Sequence, residues 1–331
     1  MSKNYKSKIA GVGSYLPEKI LSNADLEKIV ETSDEWITER TGIKRRHIAA
    51  EGEYTSDLCY KATLKALSDA KMKPEDISMI IVATSSGDQV MPSTACVLQN
   101  KLGLSGIPGF DIAAACSGFI YAMSVADQFI KTGMFKNILV IGAEILNRYV
   151  NYKDRETCIL FGDAAGAFIL SRTDLSDEHG IFSTHLHADG EYGDLFVLPA
   201  GGSKIPFSKD VLDKNLHYVQ MKGREIFRHA VRTLTVCCKE ALEHNGFTSQ
   251  QVDWVVPHQA NIRILNSVAE YFEIPQDKVI VSLHETGNTS AASIPVAFDM
   301  AVQEGKIKKG QLLLLAAFGA GLTSGSALIR Y

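Results

Sequence analysis

Cys116, His258 and Asn288 are a thiol, an imidazole and an amide, the side-chain types that nucleophilic chemistry on a carbonyl requires. Cys116 closes the apolar run IPGFDIAAAC (107 to 116). It precedes SGFIYAMSVADQFIKTG, where Phe119, Ile120, Met123, Phe129 and Ile130 keep helical spacing and Gly133 supplies a stop. At a helix N-terminus, unpaired N–H groups and the dipole favour thiolate over thiol and can cradle an oxyanion. The same position reads as a small buried hydrophobe. His258, in VDWVVPHQAN, follows a buried strand, and Pro257 fixes the turn that presents it. Asn288, in TGNTSAAS, opens a second helix. Alone, His258 reads as a satisfied core histidine and Asn288 as an N-cap.

A repeated unit would bring the three together. LKALSDAKMKPEDISMIIVAT (64 to 84) matches KEALEHNGFTSQQVDWVVPHQ (239 to 259) at an offset of 175, both as helix, turn, strand. IPGFDIAAAC and DKVIVSLHETGN (277 to 288) set Cys116 opposite Asn288 at an offset near 172. NILVIGAE (137 to 144) matches QLLLLAAF (311 to 318) at 174, both continuous apolar runs of the kind that strands buried on two faces show. The expectation is layered α/β built from duplicated halves, 1–172 and 173–331, related by a pseudo-dyad. The Gly- and Pro-rich stretch 187 to 210 is expected as a long surface connection.

Several chemistries lack sequence support. GAGLTSG (319 to 325) is not a dinucleotide fingerprint, because its third glycine is misplaced and an apparent strand follows it. It reads instead as a tight turn offering an N–H. There is no Walker loop, HExxH or spaced Cys/His cluster. Lys plus Arg number 34 and Asp plus Glu 38, a net charge of −4 that argues against a general nucleic-acid or anionic-membrane binder. The six cysteines form no CxxC pair, which suits a reducing compartment. The opening residues fit neither a signal sequence nor an anchor, and the longest apolar run, Leu312 to Leu322, is 11 residues, too short for a bilayer. Arg224, Arg228 and Arg232 line one helix face, with Arg263 just past His258. They read as a docking site for an acidic partner or as a solvated face.

TSDEWITERTGI, DIAAACSGF, FGDAAGA, PHQANIRI, GNTSAAS and FGAGLTSGSALIRY, in that order, resemble the β-ketoacyl-acyl carrier protein synthase III family, and the likeness runs end to end. These are thiolase-fold enzymes that start bacterial fatty-acid synthesis. The resemblance implies a layered α-β-α-β-α fold, a homodimer and a cytoplasmic enzyme with no cofactor, whose substrates are coenzyme A thioesters and malonyl-acyl carrier protein. It implies that Cys116 carries the acyl group, that His258 and Asn288 hydrogen-bond the malonyl thioester carbonyl, and that the N–H groups of Cys116 and Ala320 form the oxyanion hole. Trp36, Arg40 and Arg155 would grip the adenine nucleotide with Thr32 nearby. The segment Gln259, Ala260, Asn261, Ile262 and Arg263 would dock the carrier protein, and Met91 would reach the acyl pocket of the other subunit. Ala320 stands where glycine is frequent, Arg224 where a smaller polar residue is expected, and Ser324 where tryptophan is common. A relative in specialised metabolism with another primer or acceptor, a non-catalytic subunit and a thiol hydrolase are the competing readings.

Overall fold

The computed structural model describes residues 5–331. In chain order the strands are β1 (Lys6–Tyr15), β2 (Lys19–Ser22), β3 (Arg45–Ile48), β4 (Met79–Ala83), β5 (Gly109–Ile112), β6 (Asn137–Glu144), β7 (Ala164–Thr173), β8 (Gly180–Ala188), β9 (Phe196–Val197), β10 (Gln220–Met221), β11 (Trp254–Pro257), β12 (Leu312–Gly319) and β13 (Thr323–Arg330). One sheet runs β1-β7-β6-β4-β5 and the other β8-β13-β12-β11. Val279 bridges Val255 where a fifth strand would lie, so the two sheets share one strand order. β4, β6 and β12 are buried along their whole length, in keeping with sequences that are apolar throughout in β4 and β12 and apolar between Asn137 and Glu144 in β6.

Two helices, Gly118–Lys131 and Ser293–Gln303, fill the space between the sheets. Phe119, Phe168, Phe298 and Tyr331 form a chain of edge-on aromatic contacts there, with centroids 4.9 to 5.0 Å apart. Each such buried side chain stabilises by roughly 1.5–3 kcal/mol. Thr55–Ala70 and Thr94–Lys101 cover the outer face of the first sheet. Gly223–Asn245 and Ile262–Tyr271 cover that of the second. The layers are therefore α-β-α-β-α.

The two inner helices start from matching turns. Ala115–Ser117 is a 3-10 turn opened by Ala115 in the left-handed region (φ 45°). Ser290–Ala292, 175 residues further on, is opened by Ser290 at φ 48°. Cys116 thus corresponds to Ala291, not to Asn288 as the apolar runs suggested. The slip has a structural cause: the run after Lys278 forms only the Val279 bridge and then the short helix Leu283–Thr286, so it is not a copy of β5. The long connection also extends beyond 210, to Lys222. It carries the helix Lys209–Asp213 and pairs β9 with β10.

Candidate active site

Cys116 lies in the turn between β5 and the Gly118–Lys131 helix, two residues ahead of the helix. It is 5% exposed. Burial pushes its thiol up to about 12; the Ser290 hydroxyl opposes that shift, while the Glu144 charge adds to it. Cys116 rests as thiol. The thiolate expected from the helix N-terminus is therefore outweighed by loss of water.

His258 extends the β11–β12 pairing by one residue, its N–H donating to the Ala316 carbonyl at 2.8 Å. Burial lowers its pKa to about 3, so the imidazole is neutral at physiological pH. Nδ1 lies 2.6 Å from Ser293 Oγ, which also accepts from the Gln259 N–H at 3.3 Å. With the Ser293 hydroxyl donating to Nδ1, the neutral ring carries its proton on Nε2, the donor the site can use. Asn288 is anchored by its own N–H, which donates to the Leu160 carbonyl at 2.8 Å. Its side-chain oxygen accepts from the Ser290 N–H at 2.9 Å, which leaves its amide NH2 as a donor. Two neutral donors are fixed without a charge having to be moved.

The FGAG turn closes over Cys116. A Cβ added at Gly319 would stand 2.7 Å from the Cys116 nitrogen and 3.1 Å from that of Ser117, so only glycine permits this approach. The Thr323 hydroxyl is within reach of the Ala114 and Ala320 carbonyls, at 3.0 and 2.9 Å, and of Ser117 Oγ at 2.6 Å. It ties the two turns together.

One cavity of about 1080 Å³ takes in Cys116, His258, Asn288 and Ala320, and its wall also includes Trp36, Arg40, Arg155, Arg224, Arg228, Ala260, Asn261 and Arg263. The first three are buried and the arginines exposed, so the cavity runs from a dry floor to a cationic rim. The guanidinium groups of Arg40 and Arg155 lie 4.8 and 4.7 Å from the Trp36 ring centroid. That of Arg263 lies 5.4 Å from the Phe227 ring centroid. Asn261 caps the Ile262–Tyr271 helix and donates to the Arg40 carbonyl at 2.9 Å, linking the two cationic regions.

Other expected site residues lie elsewhere. Gln259 is 0% exposed and cannot meet a partner. Its amide donates to the carbonyls of Pro257 and Ile280 and accepts from the N–H groups of Ser282 and Leu283, pinning the His258 turn. Ile262 packs against Gly42 instead of lining the cavity. Thr32 stands off the wall, with its buried hydroxyl lacking a hydrogen-bond partner among the described residues. Met91 is 79% exposed and lies outside this chain's cavity. Ser324 is buried in β13 and accepts from Cys237 Sγ, so it does not shape the rim.

Sequence reasoning overlooked Ser293, Ser290, Glu144 and Thr323. Glu144 alone left a signal, a carboxylate ending the otherwise apolar run NILVIGA. The serines sit in GNTSAAS, where small polar residues also serve as ordinary turn formers. Among the described residues no group of His, Cys, Asp and Glu could hold a metal, and no helix is long and apolar enough to cross a membrane.

The family models for 3-oxoacyl-[acyl-carrier-protein] synthase III match residues 110–190, and 242–331 for the C-terminal part. A relative from Caldanaerobacter subterraneus subsp. tengcongensis, a β-ketoacyl-[acyl-carrier-protein] synthase III, is 50% identical over 331 residues, covering 100% of this chain and 99% of its own. The crystal structure of 3-oxoacyl-[acyl-carrier-protein] synthase III from Aquifex aeolicus aligns at a TM-score of 0.90 and 48% identity, covering 98% of this chain and 100% of that one. The priming β-ketosynthase of the R1128 polyketide pathway aligns at 0.91 and 31%, covering 100% and 98%. Fold and likeness together define a thiolase-like condensing acyltransferase. Within that class, the chain belongs to the β-ketoacyl-[acyl-carrier-protein] synthase III family.

Proposed function

We propose that the chain joins an acyl group, acetyl in the simplest case, from coenzyme A to malonyl-acyl carrier protein, giving acetoacetyl-acyl carrier protein and carbon dioxide. The observation that carries this is the shared cavity of Cys116, His258 and Asn288. In the first half-reaction Cys116 sulfur attacks the acyl thioester, coenzyme A leaves as thiol, and the N–H groups of Cys116 and Ala320 hold the oxyanion. In the second, malonyl thioester binds with its carbonyl on His258 Nε2–H and the Asn288 amide. Loss of carbon dioxide throws charge onto that oxygen, where both donors strengthen; the enolate carbon attacks the acyl-cysteine, its carbon–sulfur bond breaks, and the Cys116 sulfur leaves and takes up a proton from solvent. Neither donor needs to change protonation state.

Trp36, Arg40 and Arg155 would hold the nucleotide of coenzyme A, and Arg263 with its neighbours would steer an acidic carrier protein. The exposed Val90 and Met91 suit a homodimer in which Met91 bounds the partner's acyl pocket. The halves would be 1–172 and 173–331, a division one residue inside the end of β7. The reaction calls for no cofactor and suits a cytoplasmic setting. Intact mass after mixing with acetyl-CoA tests the reading: one acetyl group per chain, lost in Cys116→Ala, supports it. An adduct from only a longer or branched acyl-CoA would change the primer, and none from any acyl-CoA would sink the activity.

A further inference from the structure

Arg46, in β3, has the largest wholly buried side chain among the described residues, and the mechanism above does not use it. Its guanidinium meets only neutral acceptors: Nη1 donates to Asn23 Oδ1 at 2.7 Å and to the Leu21 carbonyl at 3.4 Å, and Nη2 donates to the Ile159 carbonyl. Nε is buried without a hydrogen-bond partner among the described residues. Burial lowers the pKa only to about 10, so the group stays charged at neutral pH. Taking a cation out of water without a counter-charge is costly. What the planar fork supplies is reach, since it fastens separate segments at once, which an apolar side chain of that size cannot do.

The fastened segments carry the two sides of the Trp36 stack. Ile159 follows directly on the helix Arg155–Cys158, which bears Arg155. Asn23 turns its amide nitrogen the other way, donating to Asp34 Oδ1 at 2.7 Å and to the Ile43 carbonyl at 2.8 Å. Asp34 is the first residue of the helix Asp34–Thr41, which bears Trp36 and Arg40. A continuous path of hydrogen bonds therefore joins the two cationic walls, from the Ile159 carbonyl through Arg46 and Asn23 to Asp34. Nearer the surface, Arg155 Nη1 donates to the Glu31 carbonyl at 3.2 Å and spans the same gap from outside.

We propose that Arg46 and Asn23 are positioning residues for coenzyme A: their buried bridge fixes the spacing of Arg40, Trp36 and Arg155 and so sets the affinity for the nucleotide end of the acyl donor. The inference rests on the reading that those three side chains hold that nucleotide. Arg46 and Asn23 act from behind the wall and touch no substrate. Spacing matters because the attraction of a cation to an aromatic face is spent beyond about 6 Å. The two guanidinium groups already stand 4.8 and 4.7 Å from the Trp36 centroid, so slack of about 1 Å would loosen the stack. Arg46 also lies under Gly162 and Gly287, where an added Cβ would stand 3.1 Å from its own Cβ, and the Gly162 N–H donates to the Asn288 carbonyl. A merely structural Arg46 would therefore disturb Asn288 too, and the choice of substrate separates the two roles.

Acetylation of Cys116, timed by intact mass with acetyl-CoA and with S-acetyl-N-acetylcysteamine, which lacks the nucleotide, tests the bridge. Arg46→Met should raise the half-saturating acetyl-CoA concentration by on the order of tenfold, and Arg46→Lys, which keeps the charge and one donor, by less. Both should keep the maximal acetylation rate, the rate from the small thioester, and decarboxylation of malonyl-acyl carrier protein. Asp34→Ala breaks the last link at an exposed residue, so it answers if the Arg46 variants do not fold. It should raise half-saturation about threefold, whereas Asp34→Asn, which keeps the acceptor, should not. Losing the Asp34 charge would by itself favour an anionic nucleotide, the opposite sign. Equal falls with both acetyl donors, slowed decarboxylation, or an unmoved half-saturation in Arg46→Met and Asp34→Ala would overturn the bridge. Trp36→Ala is the control: no rise there removes the nucleotide reading and the inference with it, and a rise there alone removes only the inference.

Discussion

Ser293 Oγ lies 2.6 Å from His258 Nδ1, and the same oxygen accepts the Gln259 N–H. One hydroxyl at the start of an inner helix therefore orients the imidazole. Ser293→Ala should leave acetylation of Cys116 intact and slow malonyl decarboxylation by on the order of tenfold, about 1.4 kcal/mol of lost orientation. Separate rates for the two half-reactions check this; an equal fall in both would place Ser293 in the frame alone.

Gly319→Ala should abolish self-acylation while the protein still folds. The added methyl meets the backbone nitrogen expected to stabilise the oxyanion, at 2.7 Å, and moving the FGAG turn away misplaces its own donor. A loss on the order of 10²-fold or more is expected. Stopped-flow release of coenzyme A measures it, with far-UV circular dichroism to confirm the fold.

Gln259 and Arg263 were expected to act together on the carrier protein, and they separate. Gln259→Leu strands two N–H groups and two carbonyls in the interior and should cost about 2–4 kcal/mol of stability, lowering both half-reactions. Arg263→Glu, on the exposed rim, should raise KM for malonyl-carrier protein while sparing acetylation and the melting temperature. Thermal melts beside half-reaction kinetics distinguish the two.

His258 and Glu144 pull stability in opposite directions with pH. His258 has a folded pKa of about 3, below its usual 6.5. The unfolded chain binds the extra proton between those values, so this contribution is lost as pH falls through that window. Glu144 is raised from 4.5 to about 7, so the folded state binds the extra proton there and its contribution is lost as pH rises through that window. Glu144→Gln should therefore raise the melting temperature at about pH 8 and change it little at about pH 5, measurable by calorimetry. A gain equal at both values would contradict the buried, ionising carboxylate.

The sequence disclosed the layers because strands buried on both faces are written as unbroken apolar runs: MIIVA and LLLLAAFG leave no other reading. It pointed to Cys116 and His258 because each follows an apolar strand, and the structure brings both to one cavity with Asn288. The register between the halves was less legible, since an apolar run does not record which of its residues begins a turn. That depends on the left-handed Ala115 and Ser290, neither of which is glycine. Gln259 misled for a related reason: a polar residue beside an exposed arginine looks exposed, and only the folded turn reveals that it faces inward.

The paired turns at Ala115 and Ser290 give the molecule two stages of nearly the same backbone and a single performance. On one stage the second position holds a thiol, Cys116; on the other it holds Ala291. The strand end that presents His258 is matched, 175 residues earlier, by Ala83. On the proposed reading, nucleophile and donors are parcelled out between the two copies, and neither copy holds a complete set. On that reading, parting the halves would separate Cys116 from His258 and Asn288 and open the core they share between the sheets, so neither piece alone would be a working centre.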